Sequence, residues 1–193
     1  GRQLAQPVGG QPQRGDGAVA ADARVILHKE SMRVQKEEGL MRNELVAAKF
    51  KPLFEPQTIA VVGASSSKPN RLNNYIEWVR DFGFQGQIYP IHPSATLIDG
   101  TPAYKSLGDT PKPIDYAVVG VPAEKVVGVI EKGAGNCKFA HVIAAGFGEK
   151  GTSEGNTLNN ELVAAAKKAK THILGPNCNG GHSPRAPFTH VNG

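Results

Sequence analysis

The residues of this chain best suited to chemistry are small ones. Gly63-Ala64-Ser65-Ser66-Ser67-Lys68 follows the apolar run Thr58-Ile59-Ala60-Val61-Val62 and precedes a helical pattern that begins near Asn70. Gly63 lets the backbone turn tightly, and the short side chains after it allow an anion to approach the main chain. A strand, a small-residue loop and a helix N-terminus together bind phosphate through unpaired backbone N–H groups. Four later apolar runs also end in small, Gly or Pro residues: at His92-Pro93-Ser94, Val121-Pro122-Ala123, Ala145-Gly146-Phe147 and Gly175-Pro176-Asn177. One such end is ordinary turn chemistry. Five on one rim point to a long ligand laid across a sheet.

The familiar nucleotide motifs are incomplete. A dinucleotide site shows Gly-x-Gly-x-x-Gly after the first strand and an acid at the end of the second. Here no glycine follows Gly63 through Lys68, and His92-Pro93-Ser94 offers no Asp or Glu, which argues against NAD. The loop also lacks the Gly-Lys-Ser/Thr ending of a phosphate loop. Cys178 has no nameable base beside it and reads as a small buried residue rather than a nucleophile. His182, after Gly180-Gly181, reads as a loop histidine, Cys137 and His141 as fold positions, and Trp78 as packing. Asn177 stands open between turn chemistry and a ligand contact. The histidines show no metal-ligand spacing, so no metal site and no catalytic residue is assigned.

The elements that must position these residues alternate. The first strand is apolar on both faces, as a parallel strand covered by helices is. Leu72, Tyr75, Ile76, Val79 and Phe82 mark one face of a helix, and Gly83 is placed to end it. Gln87–Ile91 is a second strand, followed by a long connection with a short helical turn near Tyr104 to Leu107. Asp115–Val121 is a third strand, and Pro122 then opens a helix whose buried side carries Val126, Val127 and Ile130. Phe139–Ala145 is a fourth strand. Ser153 can cap a helix from Glu154 to about Lys170, with Leu162 and Ala166 inward, and His172–Leu174 is a fifth strand. The expected fold is α/β: a Rossmann-like, doubly wound parallel sheet of about five strands with helices on both faces, over residues 51–181.

Residues 1–19 carry too few large apolar groups to offset the entropy of ordering and are expected to be disordered. Residues 20–50 read as a helical extension of one or two amphipathic helices interrupted at Gly39. Phe50 to Pro56 is a Pro-punctuated lead-in, and 182–193 is a tail or the start of a following domain. The chain starts with Gly rather than Met and reads as a fragment of something longer. With 193 residues and a formal net charge of +5 but no Lys/Arg block, it suits an anionic small ligand; neither nucleic acid nor a membrane is expected as a partner. Two cysteines make no disulfide framework, and a cytoplasmic setting is expected.

The strand-end stretches, taken together, resemble a known family. Val61-Val62-Gly63-Ala64-Ser65, Gly83 to Pro93, Val121-Pro122-Ala123, Ala144-Ala145-Gly146-Phe147-Gly148-Glu149 and Gly175-Pro176-Asn177-Cys178 stand in the order and spacing of one domain. It is the N-terminal CoA-binding domain of the NDP-forming acyl-CoA synthetases, the group of ADP-forming acetate–CoA ligase and the succinyl-CoA synthetase alpha subunit. The resemblance covers about Phe54 to Gly181. It implies coenzyme A contacts from the loop Ser65 to Lys68 (Ser65, Ser66, Ser67, Lys68) and from His92, Pro93 and Ser94. It also implies that Val121, Pro122, Ala144, Ala145 and Gly146 line the same groove. The phosphohistidine, the ATP-grasp module and its ATP and Mg would belong to other domains or subunits, so this chain alone is not expected to turn over. The alternative is a stand-alone, CoA-responsive binding module. Many members carry a Lys after the second-strand Pro; here Ser94 and Ala95 stand there, and Lys68 or Arg71 is the candidate replacement charge. Gly63→Val is expected to block binding more than it harms folding.

Overall fold

A computed structural model describes residues 16–181 of the chain, with side chains described from residue 29 on. The expectations for residues 1–15, for the tail 182–193 and for His182 lie outside the described residues. The chain divides into two units, one ending at Ala47 and the other beginning at Ala48.

The described residues of the first unit are helical. Helix α1 spans Asp16–Phe54, so it begins inside the stretch expected to be disordered and continues through the Pro-punctuated lead-in. Gly39 does not interrupt it: a helical glycine costs about 1 kcal/mol relative to alanine, one small penalty in a long helix. The expected amphipathic face is absent. Apolar residues are spread around the helix, and Met32, Leu40, Met41 and Leu45 are exposed. Pro52 sits in the last turn, where its missing N–H costs one bond, and Glu55 N–H closes the helix on Lys51 O at 2.8 Å.

The second unit holds β1 (Thr58–Val62), α2 (Arg71–Asp81), β2 (Gln87–Ile91), β3 (Leu97–Ile98), β4 (Thr101–Pro102), β5 (Ile114–Val119), α3 (Ala123–Gly133), β6 (Cys137–Val142), α4 (Ser153–Ala169) and β7 (His172–Leu174). Five strands form one parallel sheet in the order β2-β1-β5-β6-β7. The winding reverses between β1 and β5, which makes their carboxyl ends the topological switch point. All residues of β1 and β5 are buried, as continuous apolar strands require. Alternate residues serve opposite cores. Ala60, Val62, Ala117 and Val119 join Val126 and Ile130 of α3 and Leu162 of α4. Ile59, Val61, Tyr116 and Val118 join Leu72, Tyr75 and Val79 of α2, with Leu53 from the end of α1.

Local chemistry sets the element ends. Helix α2 closes in a Schellman motif at Gly83 (φ +92°), with Gly83 N–H on Arg80 O and Phe84 N–H on Val79 O. Strands β5 and β6 stop at Val119 and Val142, short of the expected Val121 and Ala145. The ladder runs out first: β1 ends at Val62, the register partner of Val119, and Val119 in turn pairs Val142. Helix α4 is capped by Thr152, not Ser153, through Gly155 N–H to Thr152 Oγ1 at 3.1 Å. The long connection after β2 contains an unforeseen β3–β4 hairpin, turned by Asp99 (φ +47°) and Gly100 (φ +73°). Asp-Gly with both residues left-handed is the signature of a tight hairpin turn.

Candidate functional site

The loop after β1 is held by two asparagines. Asn70 caps α2 by accepting Leu72 N–H at Oδ1 (2.9 Å), and its Nδ2 donates to Gly63 O (2.9 Å). Asn73 is buried at 4% exposure. Its Oδ1 accepts Ser65 N–H and Asn70 N–H, both at 3.1 Å. Its Nδ2 donates to Ser65 O (3.1 Å) and to Asp99 Oδ2 (2.6 Å), so both donors and both acceptor positions of the amide are used. Ser65 Oγ accepts Lys68 N–H at 3.3 Å and lies 3.3 Å from Ser67 Oγ. Ser65 N–H is therefore spent inside the protein. The N–H groups of Ser66 and Ser67, on exposed residues, have no partner among the described residues.

A cleft of about 460 Å³ opens beside this loop at the switch point. That volume lies within the usual range of small-molecule sites, about 300–1,000 Å³. From the residues singled out in the sequence, the structure brings together Gly63, Ala64, Ser65, His92, Pro93, Val121 and Pro122 around it. Ser66, Ser67, Lys68 and Ser94 continue the same loops but do not line the cleft. His92 organises its own turn: Nδ1 accepts Ser94 N–H (3.2 Å) and Ala95 N–H (2.9 Å). In the neutral ring the proton is then on Nε2, which remains a donor.

The opposite wall was not found from the sequence. It is made by Lys105, Ser106 and Leu107 ahead of β5 and by Glu124, Lys125, Gly128, Val129 and Lys132 of α3. The lysines supply the positive charge that the second strand end lacks. A seven-residue Lys spacing on one helix was legible. That this flank of α3 borders the loop after β1 follows only from the strand order.

Ala144, Ala145, Gly146 and Asn177 lie outside the cleft lining. At the end of β6, Glu149 folds back to accept Gly146 N–H (2.6 Å at Oε1) and Phe147 N–H (3.1 Å at Oε2). These donors, Gly146 first, hold the Glu149 carboxyl below the usual range. Asn177 adopts φ +52° and donates its backbone N–H to Ala144 O at 3.0 Å within the turn, and its side chain is exposed. His141 is fully buried, with Nε2 2.7 Å from Cys178 O and Nδ1 2.9 Å from Tyr116 Oη. A carbonyl only accepts, so Nε2 carries the hydrogen and the Tyr116 hydroxyl donates to Nδ1. Burial lowers the His141 pKa, opposed by the bond to Cys178. Cys178 is half-buried rather than buried, and its Sγ accepts Gly180 N–H at 3.3 Å. Cys137 is the inert thiol, pushed up to about 12 by burial. A second hollow, of about 410 Å³, lies between the end of α4 and edge strand β7, away from the loop after β1.

A parallel sheet with an Asn-braced small-residue loop and a cleft at its switch point defines the class: a Rossmann-like α/β domain. The chain belongs to the family described as CoA binding domain, whose model matches residues 57–183. It is 32% identical over 165 residues to the ADP-forming acetate–CoA ligase II of Archaeoglobus fulgidus, covering 85% of this chain and 23% of that protein. It is 37% identical over 131 residues to the alpha subunit of ADP-forming acetate–CoA ligase I of Pyrococcus furiosus, covering 65% of this chain and 28% of that one. Among solved structures it is similar to the dinucleotide-forming acetyl-coenzyme A synthetase 1 of Ca. Korarchaeum cryptofilum in complex with phosphate and ADP. The TM-score is 0.68 at 36% identity, covering 75% of this chain and 31% of that one. The chain thus spans less than a third of each of these relatives. No helix among the described residues is long and apolar enough to cross a membrane.

Proposed function

We propose that the switch-point cleft binds coenzyme A and that the chain supplies CoA recognition to an ADP-forming acid–CoA ligase. The observation that carries this is the pairing of two anion-attracting features around one hollow. The uncommitted amides of Ser66 and Ser67 continue the loop whose Ser65 lines it, and Lys105, Lys125 and Lys132 line it as well. Backbone donors ahead of a helix suit a diphosphate, and cations raise its local concentration. In this reading the acyl phosphate, the phosphohistidine and ATP with Mg are handled by other domains or subunits. The compartment that suits such a reaction is the cytoplasm.

Isothermal titration of the chain with CoA and, separately, with NADH tests the site. Binding of CoA without binding of NADH is expected; NADH binding with no heat from CoA up to millimolar concentration overturns it. The chain incubated with acetate, CoA, ATP and Mg is expected to form no acyl-CoA, and turnover by the chain alone would contradict the division of labour.

A further inference from the structure

The cleft carries more positive charge than an amide loop requires. Lys105 stands on the segment between β4 and β5, while Lys125 and Lys132 share a flank of α3. Seven residues apart, they are separated by about 10 Å along the helix axis. Glu124 is the one carboxylate of the lining. None of the three lysines forms an ion pair among the described residues. Like charges gathered around a hollow repel one another and focus their field on it, an arrangement that an anion relieves.

Between the two α3 lysines, on the same lining, sits Gly128. Glycine inside a helix is unfavourable relative to alanine. Its backbone here is ordinary helix, and an added β-carbon would meet nothing within 4 Å. Gly133 of the same helix differs, because its added β-carbon would touch Leu107 at 3.5 Å. Neither conformation nor packing asks for glycine at 128. What the missing side chain leaves is room in the cleft, between two cations.

We infer that this wall is a second anion seat, and that it takes the phosphomonoester on the ribose of coenzyme A, with the nucleoside passing over Gly128. The inference rests on the CoA reading above. Coenzyme A carries a diphosphate and, on its ribose, a separate monoester that is close to a dianion at neutral pH. The loop after β1 suits the first group; point charges on flexible stems suit the second. At the second strand end, where many family members carry a Lys, this chain has Ser94 and Ala95.

Dephospho-CoA lacks only that monoester, so titrating both ligands isolates it. The wild-type chain is expected to bind CoA about tenfold more tightly than dephospho-CoA at low salt. Raised ionic strength should shrink the ratio. Lys125→Gln/Lys132→Gln should bring the ratio close to one while dephospho-CoA binding persists. Gly128→Leu should weaken both ligands about tenfold or more without lowering the thermal midpoint. Equal affinities in the wild type, a ratio retained in the double variant, or normal binding by Gly128→Leu would each overturn the seat and leave CoA binding standing. Failure of the wild type to bind either ligand would instead remove the functional reading beneath it.

Discussion

The two halves of the sheet's carboxyl rim are made of the same kinds of residues and finish in opposite states. Around β1, β2 and β5 donors and cations are left over: the Ser66 and Ser67 amides on the loop after β1, Lys105 on the segment ahead of β5, and Lys125 and Lys132 on α3. At β6 and β7 the protein is its own ligand. Glu149 takes the Gly146 and Phe147 amides, Ala144 O takes the Asn177 amide, and His141 takes the Cys178 carbonyl. Small residues at a strand end make close approach possible in both halves. Whether a site results depends on who supplies the partner, an acid of the same loop or a molecule from solution.

The largest effect expected from breaking this comparison is on the open half. Gly63 holds φ +112°, and an added β-carbon would lie 2.7 Å from Gly120 O and 2.9 Å from Leu72 Cδ1. The sequence leads to the expectation that Gly63→Val blocks binding more than it harms folding; these contacts add a folding cost of its own. A branched residue there should cost about 2–4 kcal/mol, read by urea unfolding, and a wild-type midpoint would refute it. On the closed half, His141→Leu removes the bonds to Cys178 O and Tyr116 and should cost about 2–3 kcal/mol. The same histidine gives a pH signature. Its native pKa lies below the 6.5 of an ordinary imidazole, so the unfolded chain binds the proton first. Its contribution is full above pH 6.5 and drains as pH falls through the lowered native value. Thermal midpoints measured across that window should fall with acid in the wild type and less steeply in His141→Leu.

Two smaller perturbations separate the halves by binding. Asn73→Ala frees Ser65 and Asn70 from their common acceptor and should lower CoA affinity about tenfold, with unchanged affinity counting against the braced loop. Glu149→Gln should leave CoA affinity unchanged, because the β6 end is outside the cleft. A clear loss would show the ligand reaching across the whole rim. Glu149 has a native pKa below the 4.5 of an ordinary carboxyl, so its contribution is present above pH 4.5 and is lost as pH falls through the native value. The Gln variant should show a flatter acid limb in thermal unfolding, and an identical limb would contradict the fold-back.

Much of the fold was legible because period and punctuation agree. Strands Gln87–Ile91 and His172–Leu174 lie where short apolar runs and flanking Gly or Pro place them. The overshoots at Val121 and Ala145 have one cause: apolar residues continue onto the rim after the ladder stops, and hydropathy does not register a missing partner strand. The β3–β4 hairpin announced itself in Asp99-Gly100, a turn signal hidden among short, mostly exposed strands. The small-residue wall of the cleft was readable as composition. The lysine wall was not, since α3 was read by its buried side at Val126 and Ile130, and only the order β2-β1-β5 brings its other flank to Gly63. The closure of the β6 end by Glu149 depends on a side-chain torsion that no periodicity encodes.

The Asn73 carboxamide also puts two backbone hydrogens on one clock. The amide protons of Ser65 and Asn70 both point at its Oδ1, while its Nδ2 is moored to the hairpin through Asp99. Neither proton reaches solvent until that single side chain swings away, so in deuterated water the two should be replaced at one opening free energy, despite lying on opposite ends of the loop. The neighbouring Ser66 and Ser67 amides, which wait on no such event, should be replaced first, and a bound diphosphate would reverse that order.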